Sequence, residues 1–330
     1  MSSNGRVPTI VTVTLNPALD EAISIDCLQI GGTNRCRLES LDPGGKGLNA
    51  SRVIRRLGRS TLALGFVGGV TGAMIRARLD DEDVPHAFDD VADLTRLNVM
   101  IYESSANRRT RLLLPGTPVG PEQLNALYRR LEVVQSGGVV ILGGSVPPGL
   151  PDTIYRDLVA WLGERGVQTV VDTSGSALAT VLSAKPTLVK PNTEEAADLL
   201  GRPLQSDTEV LWAAGEIRRR GATYVVISQG AQGALGLGPG GGWKAIPPEI
   251  VAQSAVGSGD SMVAGLAIAL SERRGFDEAL RLGTATGAAT ALTAGTQLCH
   301  VADVDRLLPR VVVKLPVDPS IDLISGEVRR

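Results

Sequence analysis

Ser254-Ala255-Val256-Gly257-Ser258-Gly259-Asp260-Ser261-Met262-Val263 sets two glycines around a serine, follows them with an acid, and runs on into apolar residues at helical spacing. Small residues leave the amides of Gly257, Ser258 and Gly259 bare at what reads as a helix N-terminus. Such amides, reinforced by the helix dipole, form a pocket for an anion. A carboxylate one residue on would repel a bound phosphate. The pairing makes sense if Asp260 takes a proton from a hydroxyl while the amides hold the phosphoryl group that the hydroxyl attacks. The plainer alternative is an ordinary turn, with Asp260 as a favourable first-turn helix acid.

Three further stretches gather small and polar residues at expected strand ends. In Gly44-Gly45-Lys46-Gly47-Leu48-Asn49 the glycines allow backbone to approach a ligand, Asn49 offers a donor and an acceptor to hydroxyls, and Lys46 adds a cation. A loop with a helix cap is the alternative. In Lys190-Pro191-Asn192-Thr193-Glu194-Glu195 a lysine at a strand end can meet phosphates. Asn192 and Glu195, three apart at a helix start, can present oxygens toward a hydrated Mg²⁺, or can close a capping box. Ser228-Gln229-Gly230-Ala231-Gln232-Gly233 links two expected strands and offers glycines to a nucleotide's phosphates, with a β-turn as the default.

These loops need a scaffold. Residues 10–15 alternate apolar residues with Thr and read as a first strand ended by Asn16-Pro17, with Asp20 just past it, where ligand residues sit in open α/β sheets. Residues 22–27 and 35–41 read as strands of a thin sheet with one exposed face, which a hairpin over 98–103 and 109–114 can join. Strands are expected at 62–67, 139–142, 169–172, 188–190, 224–228 and 234–238, and helices at 48–57, 72–80, 123–134, 153–164, 194–200, 210–219, 259–271, 276–293 and 301–308. Short apolar strands alternating with helices imply a mainly parallel sheet covered on both faces. Gly236-Leu237-Gly238-Pro239-Gly240-Gly241 matches a dinucleotide fingerprint by letter, but no helix follows it, so a hairpin turn is expected.

Composition excludes several classes. With 330 residues and 43% apolar, the chain can bury a large core, yet 3% aromatics mean that Val, Leu, Ile and Ala must fill it. A net charge of −2 argues against nucleic acid as a partner. Cys27, Cys36 and Cys299 have neither metal nor disulfide spacing, which fits a reducing, cytoplasmic setting. No apolar run is long enough for a membrane span, and no signal-peptide core is expected.

Taken together, the motifs resemble the ribokinase-like sugar kinases, and within them the phosphofructokinase B family, over nearly the full length. The carrying residues are Asn16 to Asp20, Gly44 to Asn49, Thr95-Arg96-Leu97-Asn98, Gly144-Ser145-Val146-Pro147-Pro148-Gly149, Leu188 to Asn192, Ser228 to Gly233 and Val256 to Asp260. Ala255 departs from the Thr usual in relatives.

The resemblance implies a doubly wound, mainly parallel α/β domain over 1–316, helices on both faces, a small β lid formed from about 21–42 and 97–115, and a tail over 317–330. It implies ATP and Mg²⁺, leaves K⁺ open, and implies a homodimer formed through the lids. Asp260 would be the base, with Gly257, Ser258 and Gly259 holding the charge of the transferred phosphoryl group. Lys190, Asn192, Ser228, Gly230 and Gly233 would line the ATP site, with Asn192 and Glu195 supporting Mg²⁺ largely through water. Asp20, Gly44, Gly45, Asn49 and Ser145 would hold the acceptor sugar. Arg96, with Lys46 and Arg35, would supply the permanent charge that a sugar phosphate requires.

Within the phosphosugar group the signals divide. Gly44-Gly45-Lys46-Gly47 and Thr33-Asn34-Arg35 resemble fructose-1-phosphate and tagatose-6-phosphate kinases, whereas Gly295-Thr296-Gln297-Leu298-Cys299 and Arg35-Cys36 resemble the minor 6-phosphofructokinases. The second pair spans both ends of the chain and tips the expectation toward fructose 6-phosphate. A non-catalytic binder is the remaining alternative, and intact Asp260, Lys190 and Glu195 speak against it.

Overall fold

A computed structural model describes residues 10–315, so the expected tail lies outside the described residues. The chain begins β1 (Ile10–Thr14), β2 (Ala18–Ile25), β3 (Arg37–Gly44), α1 (Lys46–Arg56), β4 (Thr61–Val67), α2 (Gly69–Asp81), β5 (His86–Asp90). It continues through β6 (Leu97–Glu103), β7 (Arg108–Leu112), α3 (Pro121–Leu131), β8 (Val139–Gly143), α4 (Ile154–Gly163), β9 (Gln168–Asp172), α5 (Gly175–Val181), β10 (Leu188–Val189), α6 (Thr193–Leu200) and α7 (Asp207–Arg219). The last elements are β11 (Tyr224–Ser228), β12 (Ala234–Gly238), β13 (Gly241–Ile246), α8 (Ser258–Ser271), α9 (Phe276–Ala291), α10 (Val301–Leu307) and β14 (Val312–Lys314).

Ten strands form one sheet in the order β14-β13-β12-β11-β10-β9-β8-β1-β4-β5. From β11 to β5 every neighbour is parallel, and β12, β13 and β14 close the other edge as antiparallel strands. The side-chain period of two splits the central strands between two cores. Val11, Val13, Val140, Leu142, Val171 and Val225 face Leu127, Leu158, Leu178, Val210 and Ile217 of the helices on one side. Ile10, Ile141, Val170, Leu188 and Val226 face Val53, Val263, Leu266, Leu280 and Val304 on the other. Helices therefore cover both faces, as the apolar runs required.

The second sheet has the order β3-β2-β6-β7, with β2 and β6 parallel and both outer pairs antiparallel. It begins at Ala18, four residues earlier than expected, and so takes in Asp20 as a strand residue paired with Asp42 and Asn98. Side chains tie it to the main body. Thr296 donates to Asp42 (2.5 Å) and shares a hydrogen bond with Ser40 (2.9 Å), while Arg109 donates to the Gln253 carbonyl (2.7 Å).

Edge strand β5, short helix α5 and the strand β14 escape the sequence pattern. The first is capped by His and two Asp, the second is too short to show a helical period, and the third carries three residues on an open edge. The glycine-rich decoy is the expected hairpin between β12 and β13. From β1 the chain moves out to β4 and β5, then returns to place β8 on the other flank. Such a reversal opens a crevice at the carboxyl ends of the strands, where loops after β1, β8, β9, β10 and β11 collect.

Candidate active site

Helix α8 starts at this crevice, and Gly257 adopts φ 77° just before it, in the left-handed region that favours glycine. A Cβ there would also lie 2.7 Å from Leu298. The hydroxyl of Ser258 is buried with no protein partner, so the helix start carries an unspent polar atom beside its open amides. Asp260 follows in the first turn, and its carboxylate accepts from Asn49 Nδ2 at 2.8 Å. Burial pushes the Asp260 pKa up to about 6, the neighbouring Asp172 carboxylate adds to the rise, and Asn49, Lys46 and Lys190 oppose it.

Asp172, at the end of β9, is the hub of the charges. Its side chain is 2% exposed, Lys46 Nζ approaches at 2.9 Å, and Lys190 Nζ at 3.6 Å. Burial alone would raise its pKa, but Lys190 and Lys46 hold it below the usual carboxylate range. Its second oxygen, Oδ2, has no partner. Lys46 also reaches Glu195 Oε1 at 3.5 Å. Burial works against the charge on Lys46, yet Asp172 and Glu195 outweigh it and push its pKa up.

Asn192 and Glu195 do close the capping box. Glu195 N donates to Asn192 Oδ1 at 2.7 Å, and Asn192 N donates to Glu195 Oε2 at 2.9 Å. One Glu195 oxygen is thus committed to the helix start, and the other faces Lys46. A single parallel bridge joins Asn192 to Ser228, and Ser228 N donates to the Pro191 carbonyl at 3.1 Å. The loop after β11 turns through Gly230 (φ 58°) and Gly233 (φ 90°), which sets the Ser228–Gly233 segment beside the Lys190–Asn192 strand end.

On the other flank, Asp20 accepts from Asn98 Nδ2 at 2.9 Å, and burial raises its pKa against the pull of Asn98 and Arg96. A Cβ on Gly44 would fall 2.1 Å from Asp20 Oδ2, so glycine keeps that carboxylate's place open. Gly45 (φ 122°) then turns the chain directly into α1, which carries Lys46 and Asn49. Asn16 Nδ2 donates to Ser145 Oγ at 3.0 Å, placing Ser145 at the mouth of β1. Arg96 donates to three carbonyls, those of Asn16 (2.9 Å), Pro17 (3.3 Å) and Leu114 (2.8 Å).

Two expectations for the substrate's phosphate change here. Lys46 is turned onto Asp172 and Glu195, since two carboxylates hold an ammonium more firmly than an open pocket does. Arg35 stands exposed in the loop before β3, lining a cavity of about 930 Å³ with Tyr102 and Arg109 whose walls do not include Asp260. Arg96 is braced by backbone, and its fork has one N–H left on each terminal nitrogen.

Residues 13–303 match the pfkB family carbohydrate kinases. The chain is 35% identical over 300 residues to the ATP-dependent 6-phosphofructokinase isozyme 2 of Escherichia coli, covering 90% of this chain and 97% of that one. The chain belongs to the pfkB family. It is 34% identical over 304 residues to the 1-phosphofructokinase of Bacillus subtilis, covering 92% of this chain and 99% of that one. Among solved structures it resembles E. coli phosphofructokinase-2 in complex with potassium, with TM-score 0.88 and 35% identity over 92% of this chain and 99% of that one. A ribokinase from Arabidopsis thaliana, 20% identical, shares the fold at TM-score 0.78. As a pfkB kinase with phosphofructokinase relatives, the protein is a sugar-phosphate kinase.

Kinases of this family generally use ATP and Mg²⁺. The residues fit that demand, because Ser258 Oγ and Asp172 Oδ2 are buried polar atoms without a protein partner at the two ends of the cluster. Sequence reasoning passed over Asp172 and Asn98. The rule that marked Asp20 would have marked Asp172 too, for it is a carboxylate closing an apolar strand, Thr169-Val170-Val171-Asp172. Asn98 was visible only as a letter in a motif.

Proposed function

We propose that the protein transfers the γ-phosphoryl group of ATP to a hydroxyl of a phosphorylated ketohexose, with fructose 6-phosphate as the first candidate and fructose 1,6-bisphosphate as its product. The observation that carries the reading is Asp260, a carboxyl whose pKa burial lifts to about 6, in the first helical turn beside the amides of Gly257, Ser258 and Gly259. A base of that strength is ionised at neutral pH and strong enough to draw a proton from a hydroxyl as it attacks.

The residues divide the work. Asp20, Asn98, Gly44 and Gly45 shape the acceptor side, and Asn49 orients Asp260 toward the reacting hydroxyl. Asp260 takes the proton. The amides of Gly257, Ser258 and Gly259 meet the charge that develops on the transferred group. Lys190 meets the ATP phosphates, and Ser228, Gly230 and Gly233 line the nucleotide. Asp172, Asn192 and Glu195 are the oxygens that would hold a hydrated Mg²⁺, which neutralises phosphate charge when bound. Arg96 and Ser145, which both hydrogen-bond Asn16 just past β1, would receive the sugar's distal phosphate.

The small sheet reads as a lid that excludes water from the transfer. Exposed Leu38 and Leu112 on it, with Leu113 and Leu114 just past its last strand, support a homodimer formed through this sheet. A dimer so formed would bring Arg35 of one chain near the partner's lid. Among the described residues no helix is long and apolar enough to cross a membrane, and three free cysteines suit a cytoplasmic enzyme. K⁺ dependence belongs to the same reading, supported by the potassium complex of E. coli phosphofructokinase-2.

Lys46 supports fructose 1-phosphate or tagatose 6-phosphate as the acceptor in a second reading, since it comes with the Gly44–Gly47 pattern of those kinases. The Gly295–Cys299 segment supports the first, because Thr296 and Leu298 anchor the lid and α1 through Asp42, Ser40 and Arg56. ADP release measured with fructose 6-phosphate, tagatose 6-phosphate, fructose 1-phosphate and free fructose decides. The highest kcat/KM on fructose 6-phosphate sustains the first reading, and a preference for free fructose overturns both.

A further inference from the structure

Among the described residues Lys46 is the one cation within ion-pair distance of both Asp172 and Glu195. Its Nζ lies 2.9 Å from Asp172 Oδ1 and 3.5 Å from Glu195 Oε1. Asp172 has Lys190 as a second partner at 3.6 Å, but Glu195 has no other cation within ion-pair distance among the described residues. Asp172 is nearly inaccessible, and its Oδ2 has no partner at all. Among the described residues no three His, Cys, Asp or Glu side chains group together, so a divalent ion held by Asp172 and Glu195 would need further ligands of another kind. A buried carboxylate stripped of its counter-charge is strongly destabilising, and the pair would recruit whatever cation is available.

We propose that Lys46 is a built-in counter-cation for the Asp172–Glu195 pair, competing with a divalent metal for it and so keeping metal off the enzyme until a nucleotide brings it. This deepens the kinase reading by assigning Lys46 a regulatory task on the metal side in place of a grip on the substrate's phosphate. The ammonium lies against both carboxylates, so a divalent ion would bind them only by displacing it or by arriving with phosphate ligands of its own. Lys46 has the reach to leave, because its side chain keeps 32% of its surface open to the crevice.

The test uses the full chain without nucleotide and Mn²⁺ as probe, counting bound metal from the loss of the free-ion paramagnetic resonance signal. Lys46→Met, which keeps length and loses charge, should bind Mn²⁺ at least about tenfold more tightly than wild type, about 1.4 kcal/mol. Lys46→Arg should stay as weak as wild type, and Lys46→Met with Glu195→Gln should lose the gain. Equal affinity for wild type and Lys46→Met overturns the proposal, as does a gain that survives Glu195→Gln. A wild-type measurement covers a variant that fails to fold. Acylation of Lys46 followed by peptide mass spectrometry should quicken severalfold when millimolar Mn²⁺ is added, and an unchanged rate overturns the competition. Neither readout needs a sugar or turnover, so a failed substrate panel would leave it standing and would sink only the kinase substrate reading.

Discussion

Asp260→Asn should kill turnover and stabilise the fold, and the two effects share one cause. Burial and the Asp172 carboxylate lift the Asp260 pKa from 3.8 to about 6, so the protein pays to hold this group ionised at neutral pH. The sign follows from linkage. An acid whose pKa is raised on folding binds its proton more tightly in the folded state, so stability falls as pH climbs from 3.8 to about 6 and is flat above. Two pKa units amount to about 3 kcal/mol at full weight. Asp260 keeps part of its surface open to the crevice, which screens that toward about 1–2 kcal/mol. Asn removes the charge and still offers an oxygen to Asn49.

Turnover should fall about 10²- to 10⁴-fold, as expected for loss of a general base. Thermal unfolding at pH 8 should show the variant a few degrees more stable, with the gain roughly halved at pH 5. In the wild type, kcat/KM should drop about tenfold for each pH unit below about 6, the pKa of Asp260 in the free enzyme. Turnover within threefold of wild type would remove Asp260 as base. A variant less stable than wild type at pH 8 would refute the electrostatic account, because it would mean that the charge supports the fold.

Gly44→Ala puts a methyl 2.1 Å from Asp20 Oδ2, so Asp20 must leave Asn98; the sugar KM should rise at least about tenfold with the ATP KM hardly moved, as steady-state kinetics would show. Glu195→Gln keeps an oxygen for the Asn192 amide but loses its charge, so the Mg²⁺ concentration for half-maximal rate should rise while helix α6 and the melting temperature stay put; an unchanged metal optimum returns Glu195 to capping alone. Arg96→Ala should lower kcat/KM for fructose 6-phosphate about 30-fold or more, from about 2–5 kcal/mol for an unpaired charge, and should also lower the melting temperature, because three carbonyls lose their donor. Arg96→Lys, which fills part of the same space with one point charge, should recover stability better than affinity. Equal losses on phosphorylated and free sugars would assign Arg96 to bracing the loop and not to reading phosphate.

Much of this was legible because the pattern is local. The apolar runs at Val11–Val13, Val139–Leu142 and Val225–Ile227 are buried on both faces, so their strands declare themselves by composition. Gly257 and Gly45 declared themselves because the turns need backbone that other residues avoid. The small sheet was legible in its strands but not in its start, because Ala18 and Leu19 open β2 buried against the main body while the pattern of residues 16–20 reads as the end of β1. The pairing of Lys46 was hidden for a different reason. Its loop fixes where the side chain starts, but the partners Asp172 and Glu195 come from 126 and 149 positions further along the chain, and only folding brings them to one nitrogen.

That contrast separates what a motif can state from what it cannot. A glycine or a bare amide acts through the backbone at its own position, so its meaning travels with the sequence. A charge acts through whatever stands within a few ångströms. Arg96 shows both at once. Its place just before β6 aims it at the turn after β1, and its guanidinium is then taken up by the carbonyls of Asn16, Pro17 and Leu114 before any substrate arrives. Holding the fork in this way removes rotamer freedom that a phosphate would otherwise have to freeze, so the two N–H groups left over would bind a distal phosphate at lower entropic cost than a free arginine could. The same brace that looks structural is what would make Arg96 a selective reader of phosphosugars.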